Sequence, residues 1–170
     1  FASYLKGLVS PPTVQALKGY WEDCLSGMSY LHTLVPCIIH CDIKSENVLA
    51  FPSHGTTVLK LGDVGLARVT PSGGMSTCTG KGSPFYMAPE MHSSSRKYDM
   101  RADVFSFGVM MAEVVHMYML CRPMVPLTPE GRRTMIQSAV VYLSILNEPM
   151  GAILAKCCEN KASDRFTSLQ

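Results

Sequence analysis

Apolar side chains recur every three to four residues along 14–34, at Leu17, Tyr20 and Trp21, Cys24 and Leu25, Met28, and Leu31 with His32. That period puts them on one face of a long helix, and Pro11-Pro12 stand just ahead of it, where proline is tolerated. Residues 48–51 and 57–61 are short runs rich in branched apolar residues, and Pro52-Ser53-His54-Gly55 between them has turn chemistry, which predicts a β-hairpin. From Thr70 to Pro84 the composition shifts to Gly, Ser, Thr and Pro, the mark of an exposed loop. Helical spacing returns at 103–119, 135–146 and 150–158, with Pro123, Pro126 and Pro129 breaking the chain between helices. The pattern is one α+β body, mostly α-helical, with one small hairpin and no internal repeat.

Composition narrows what such a body can do. At 170 residues, 47% hydrophobic and 16% charged, the chain is long and apolar enough to bury a real core, which excludes a disordered tail. A formal net charge of +2 gives no electrostatic reason to expect nucleic acid or an anionic membrane as partner. The most apolar stretch, 105–120, carries Glu113 and His116, so no membrane span is expected, and no secretory signal opens the chain. The 7 cysteines are an odd set without a CxxC pair. They fit a reduced, intracellular and cytoplasmic chain better than a disulfide framework. Cys37 and Cys41 flank His40 without a fourth donor at metal-site spacing, so a thiolate metal centre is not expected.

The chemistry concentrates in His40-Cys41-Asp42-Ile43-Lys44-Ser45-Glu46-Asn47 and, past the hairpin, Asp63-Val64-Gly65. A phosphoryl transfer needs the acceptor hydroxyl oriented and the polyphosphate charge neutralised, and little covalent help beyond that. A carboxylate does the first task, and a cation held by hard oxygen ligands does the second. Asp42 suits the former, Asn47 and Asp63 the latter, and Lys44 supplies a point charge beside Asp42. A lone His-x-Asp is weak evidence, since a loop aspartate before a lysine is commonly a solvated turn residue. The ordered pair of motifs around a hairpin is far harder to obtain by chance.

These segments resemble the catalytic loop H-R-D-x-K-x-x-N and the metal motif D-F-G of the eukaryotic protein kinase family, serine/threonine type. Further matches follow in order: Gly82-Ser83-Pro84-Phe85-Tyr86-Met87-Ala88-Pro89-Glu90 resembles the substrate loop running into A-P-E, and 98–109 the central helix of the C-terminal lobe. Residues 156–166 resemble that lobe's last segment. The resemblance implies a protein-kinase-like C-lobe that moves the ATP γ-phosphoryl group to serine or threonine of a protein substrate, with ATP and Mg²⁺ as cofactors. It implies Asp42 as base, Lys44 as phosphate contact, Asn47 and Asp63 as Mg²⁺ ligands, and Ser83 as the substrate-loop hydroxyl touching the catalytic loop. It also implies structural roles: His40 as a packed imidazole, Asp103 bonded to the catalytic-loop backbone, and Glu90 paired with Arg165. Lys44, where tyrosine kinases commonly have Ala or Arg, favours serine and threonine acceptors.

Cys41 stands where the family's motif has arginine, which removes the cation that receives an activation-loop phosphate. Val64 stands where the family has phenylalanine and is expected to fill part of that ring's packing space. These departures keep a second function open, a pseudokinase acting as a binding or scaffold module. Ser72, Ser76, Thr77 and Thr79 are modifiable hydroxyls in a stretch that equally reads as plain loop. His116 with Met110, Met111, Met117 and Met119 reads as core. The family's Gly-rich loop, β3 lysine and αC glutamate precede its catalytic loop, and nothing in 1–39 matches them. The expectation is a partial domain, residues 1–170, lacking the N-lobe, weak in nucleotide binding and inactive by itself.

Overall fold

A computed structural model describes residues 1–71, 75–77, 82–92, 97–120 and 128–167. Ser72, Thr79, Cys78, Cys121, Pro123 and Pro126 lie outside the described residues. In chain order the elements are α1 (Ala2–Lys6), α2 (Val14–Thr33), β1 (Cys37–Ile39), β2 (Val48–Ser53), β3 (Thr56–Leu61), β4 (Arg68–Thr70), β5 (Ser76–Thr77), β6 (Lys97–Tyr98), α3 (Arg101–Val114), α4 (Pro129–Leu146) and α5 (Glu148–Cys157).

α3 is the axis of the molecule. Val104, Phe105, Phe107, Val109, Met110 and Met111 lie all round it, and every residue from Ala102 to Val114 is buried, as a helix without a polar face requires. α2 lays Leu17, Tyr20, Trp21, Cys24, Met28 and His32 into the core, the face that the spacing of apolar residues picks out. Its start is fixed by the Thr13 side chain, which accepts from the Ala16 N–H at 3.1 Å. Trp21 meets Phe107 edge-on with centroids 6.0 Å apart. On the other side α5 comes so close that a Cβ on Gly108 would stand 2.7 Å from Cys158 Sγ and 2.9 Å from Cys157 Cβ, so the crossing depends on that glycine.

Four expectations change. The run 103–119 is not one helix: after α3 the backbone loosens into a π-type turn at Val115–Met119, where Met117 and Met119 are half-buried while Met110 and Met111 are fully buried. Pro129 does not break the chain; it opens α4, whose Thr128 cap accepts from the Gly131 N–H at 3.0 Å, because a first-turn residue needs no N–H partner. Pro52 is not in the turn but in β2, opposite Thr57, tolerated because each strand of a two-stranded ribbon has a free edge. The turn itself is His54-Gly55, both with positive φ. Finally, two further antiparallel pairs exist, β1 with β4 and β5 with β6, with Cys37 opposite Thr70 and Ser76 opposite Tyr98. Among the described residues no helix is long and apolar enough to cross a membrane.

Candidate active site

β1 ends at Ile39, and the chain then has to turn sharply to reach β2. The Asp103 carboxylate, in the first turn of α3, shapes that turn: Oδ2 accepts from the His40 N–H at 2.7 Å and Oδ1 from the Cys41 N–H at 2.9 Å. The same Oδ2 lies 2.9 Å from His32 Nε2 of α2, so one buried carboxylate joins three segments. Cys41 adopts φ 68°, a left-handed conformation that costs a non-glycine residue energy and that the two bonds hold in place. His40 is fully buried; its Nδ1 accepts the Asp42 N–H at 3.4 Å, so Nε2 carries the proton and donates to the Gly62 carbonyl at 3.0 Å.

The turn delivers Asp42 to a nest of donors. Its Oδ2 accepts from Lys44 Nζ and from Asn47 Nδ2, both at 2.8 Å, and its Oδ1 accepts from the Ser83 N–H at 3.1 Å. Lys44 Nζ also donates to Ser83 Oγ at 2.8 Å, tying the loop to the 82–92 segment. Burial by itself would raise the Asp42 pKa, but hydrogen bonds from Lys44, Asn47 and Ser83 outweigh it and hold the carboxyl below the ordinary aspartate value. Asp42 is therefore an ionised acceptor at neutral pH.

Asp63 sits differently. The Gly62 N–H just before it donates to the Asn47 carbonyl at 2.8 Å, which aligns the end of β3 with the loop. Asp63 itself is exposed, has φ 55°, and accepts from the Gly65 N–H at 3.2 Å. Asn47 spends its amide nitrogen on Asp42, leaving Oδ1 as a hard oxygen. Asn47 and Asp63 thus offer the ligand chemistry that suits Mg²⁺. Val64 opens a short 3₁₀ turn and is 58% exposed within this chain.

A cleft of about 800 Å³ opens beside these groups, with Lys44, Glu46, Ser83 and Glu113 among its walls. Glu113 Oε2 accepts from Tyr86 Oη at 2.9 Å and from Ser45 Oγ at 3.1 Å, so α3 also joins the loop to the segment after Ser83. Burial raises the Glu113 pKa, and the bonds from Tyr86 and Ser45 offset only part of that. Glu90 and Arg165 form a two-bond pair at 2.7 and 2.9 Å, and the remaining guanidinium hydrogens reach the carbonyls of Glu159, Asn160 and Arg101. Cys41 Sγ lies 3.2 Å from Tyr98 Oη. Among the described residues no three His, Cys, Asp or Glu side chains cluster as a metal site.

The family described as Protein kinase domain matches residues 5–170. The chain belongs to the protein kinase family. Over 168 residues it is 29% identical to the serine/threonine-protein kinase pkpA of Phycomyces blakesleeanus, a match covering 97% of this chain and 26% of that protein. Over 102 residues it is 35% identical to the serine/threonine-protein kinase WNK of Caenorhabditis elegans, covering 60% of this chain and 5% of that protein. The kinase chain thus spans about a quarter or less of these relatives' length.

Sequence reasoning left several residues in and around this candidate site unused. Glu113 is the one carboxylate in the apolar run 104–120, a signal that it needs a buried partner, though nothing in the sequence names Tyr86 and Ser45. His32 falls on the apolar face of α2, which marks it as buried but not as a partner of Asp103. Arg132 lies in a stretch without any distinguishing pattern.

Proposed function

We propose that this chain is the catalytic-loop lobe of a protein serine/threonine kinase, transferring the γ-phosphoryl group of ATP to a serine or threonine hydroxyl. The observation that carries the reading is the Asp42 carboxylate, ionised, buried and held by Lys44, Asn47 and the Ser83 backbone, three residues that line the cleft. In this reading Asp42 orients the acceptor hydroxyl and takes its proton, and its position between fixed donors keeps it from collapsing onto a single partner. Lys44 turns from Asp42 and Ser83 toward the transferring phosphate. Asn47 Oδ1 and the Asp63 carboxylate are the ligands for Mg²⁺, which when bound with ATP neutralises the polyphosphate charge. Ser83, His40, Asp103, Glu90 and Arg165 hold the frame. The helical body and, among the described residues, sheets of two strands each support taking residues 1–170 as the C-terminal lobe. Free thiols at Cys24, Cys37 and Cys157 support an intracellular, cytoplasmic setting.

The test uses the full-length protein. With Mg²⁺-ATP and a basic protein substrate it should transfer phosphate to serine or threonine, and Asp42→Asn should lower kcat by about a hundredfold or more. Neither Mg²⁺-ATP binding nor turnover in the wild type would overturn the enzyme reading in favour of a binding module, the direction in which Cys41 and Val64 point.

A further inference from the structure

In the segment 83–88 the Tyr86 N–H reaches the Ser83 carbonyl and the Ala88 carbonyl accepts from the Met91 N–H, both at 3.0 Å, while the carbonyls of Phe85, Tyr86 and Met87 bond to side chains. Side chains from two helices collect them. Ser106 Oγ of α3 donates to the Tyr86 carbonyl at 2.9 Å. Arg132, in the first turns of α4, donates from one nitrogen, Nη1, to the Phe85 carbonyl at 3.0 Å and to the Met87 carbonyl at 2.9 Å. Its guanidinium lies 5.2 Å from the Phe105 ring centroid, so the core helix fixes the donor in turn. Arg132 also walls a hollow of about 370 Å³ shared with Pro84, Phe85 and Pro129 on the outer side of the segment.

We infer that Arg132 is a positioning residue for the protein acceptor: it sets the course of 84–87 relative to Asp42 and so shapes the surface that receives the residues flanking the acceptor hydroxyl. The inference rests on the phosphotransfer reading of the same site. One end of the segment is pinned at the Asp42 carboxylate through Ser83, and the other is pinned by α4 through Arg132. Ser106 and Glu113 hold Tyr86 between these ends, so without Arg132 the stretch past Tyr86 loses its anchor, and a displacement there moves the acceptor relative to Asp42 without touching the nucleotide side. Because a single nitrogen makes both bonds, a lysine ammonium can replace it, whereas an apolar chain of similar length keeps the packing on Phe105 and loses both donors.

The experiment compares wild type, Arg132→Lys and Arg132→Met in the full-length protein by amide hydrogen exchange and by steady-state kinetics. Arg132→Met should speed exchange within 83–88 about tenfold or more while α3 stays unchanged, since two hydrogen bonds from a charged donor are lost there. It should raise KM for the protein substrate about tenfold, leave KM for ATP within about twofold, and change kcat less than KM, the split that misplacement of one substrate produces. Arg132→Lys should restore most of both. Unchanged exchange in Arg132→Met, faster exchange spreading through α3, or Arg132→Lys behaving as Arg132→Met would overturn the inference. A wild type without turnover would sink the phosphotransfer reading, and the exchange comparison would still decide whether Arg132 holds the segment.

Discussion

Two carboxylates flank the hairpin, Asp42 before it and Asp63 after it, and their settings are opposite. Asp42 is 9% exposed and holds Lys44, Asn47 and the Ser83 backbone. Asp63 is exposed and holds the amide of its own turn. The difference teaches where rigidity is placed: under the proposed roles, the group that meets a hydroxyl is set in advance by the core, while the group that meets a diffusible cation is left with open valence. α3 causes the contrast, because Asp103 and Glu113 reach the 40–47 loop and no side chain of α3 is bonded to 62–66 among the described residues.

The sharpest way to break the comparison is to neutralise each carboxylate in the full-length protein. Asp42→Asn and Asp63→Asn should each cut turnover by about a hundredfold or more. Only Asp42→Asn should also lower stability, by about 1–3 kcal/mol in urea titration, because it sets an amide N–H₂ against the Lys44 and Asn47 donors. Equal stability losses would show that the two settings do not differ as described. Asp103→Ala should turn the first setting into the second and cost more stability still, about 3–5 kcal/mol, by leaving the His40 and Cys41 amides without an acceptor, with faster exchange at both. Retained protection of those amides would contradict the anchoring role.

A pH titration gives a smaller effect. The folded Asp42 pKa lies below its unfolded value, so the stability it contributes is complete above about pH 4 and fades as pH falls through the depressed folded value. The stability gap between wild type and Asp42→Asn should therefore narrow on acidification below about pH 4. A gap that widens there would mean the carboxyl is not depressed. Smallest of all, Val64→Phe should change stability by less than about 0.5 kcal/mol, because the position is exposed within this chain. A stabilisation well beyond that would reveal a packing partner.

The legibility of the sequence follows the length over which a pattern repeats. α2 repeats its apolar period over 20 residues, and the face it buries is the one the spacing shows. β1, β4, β5 and β6 have 2 or 3 residues each, too few for any period to register. Their pairing comes from tertiary contact. Within the site, Asp42, Lys44 and Asn47 carry their spacing in the sequence, so their meeting needs only a turn. Ser83 and Arg132 meet that loop and its neighbour from far along the chain, through α3 and α4, and no local pattern encodes such distances. Pro129 misleads for a plainer reason: proline ends helices and opens them, and the Thr128 cap decides which.

The Asp103 carboxylate also sets an order of events during synthesis. His40 and Cys41 lie 63 and 62 residues before the group that shapes them. Their loop leaves the ribosome well ahead of its anchor and acquires its form only once α3 has been made and docked. A nascent chain halted before Asp103 should leave those amides open to exchange, and one carried beyond α3 should close them. The shape of the 40–47 loop would then wait on a residue made long after it.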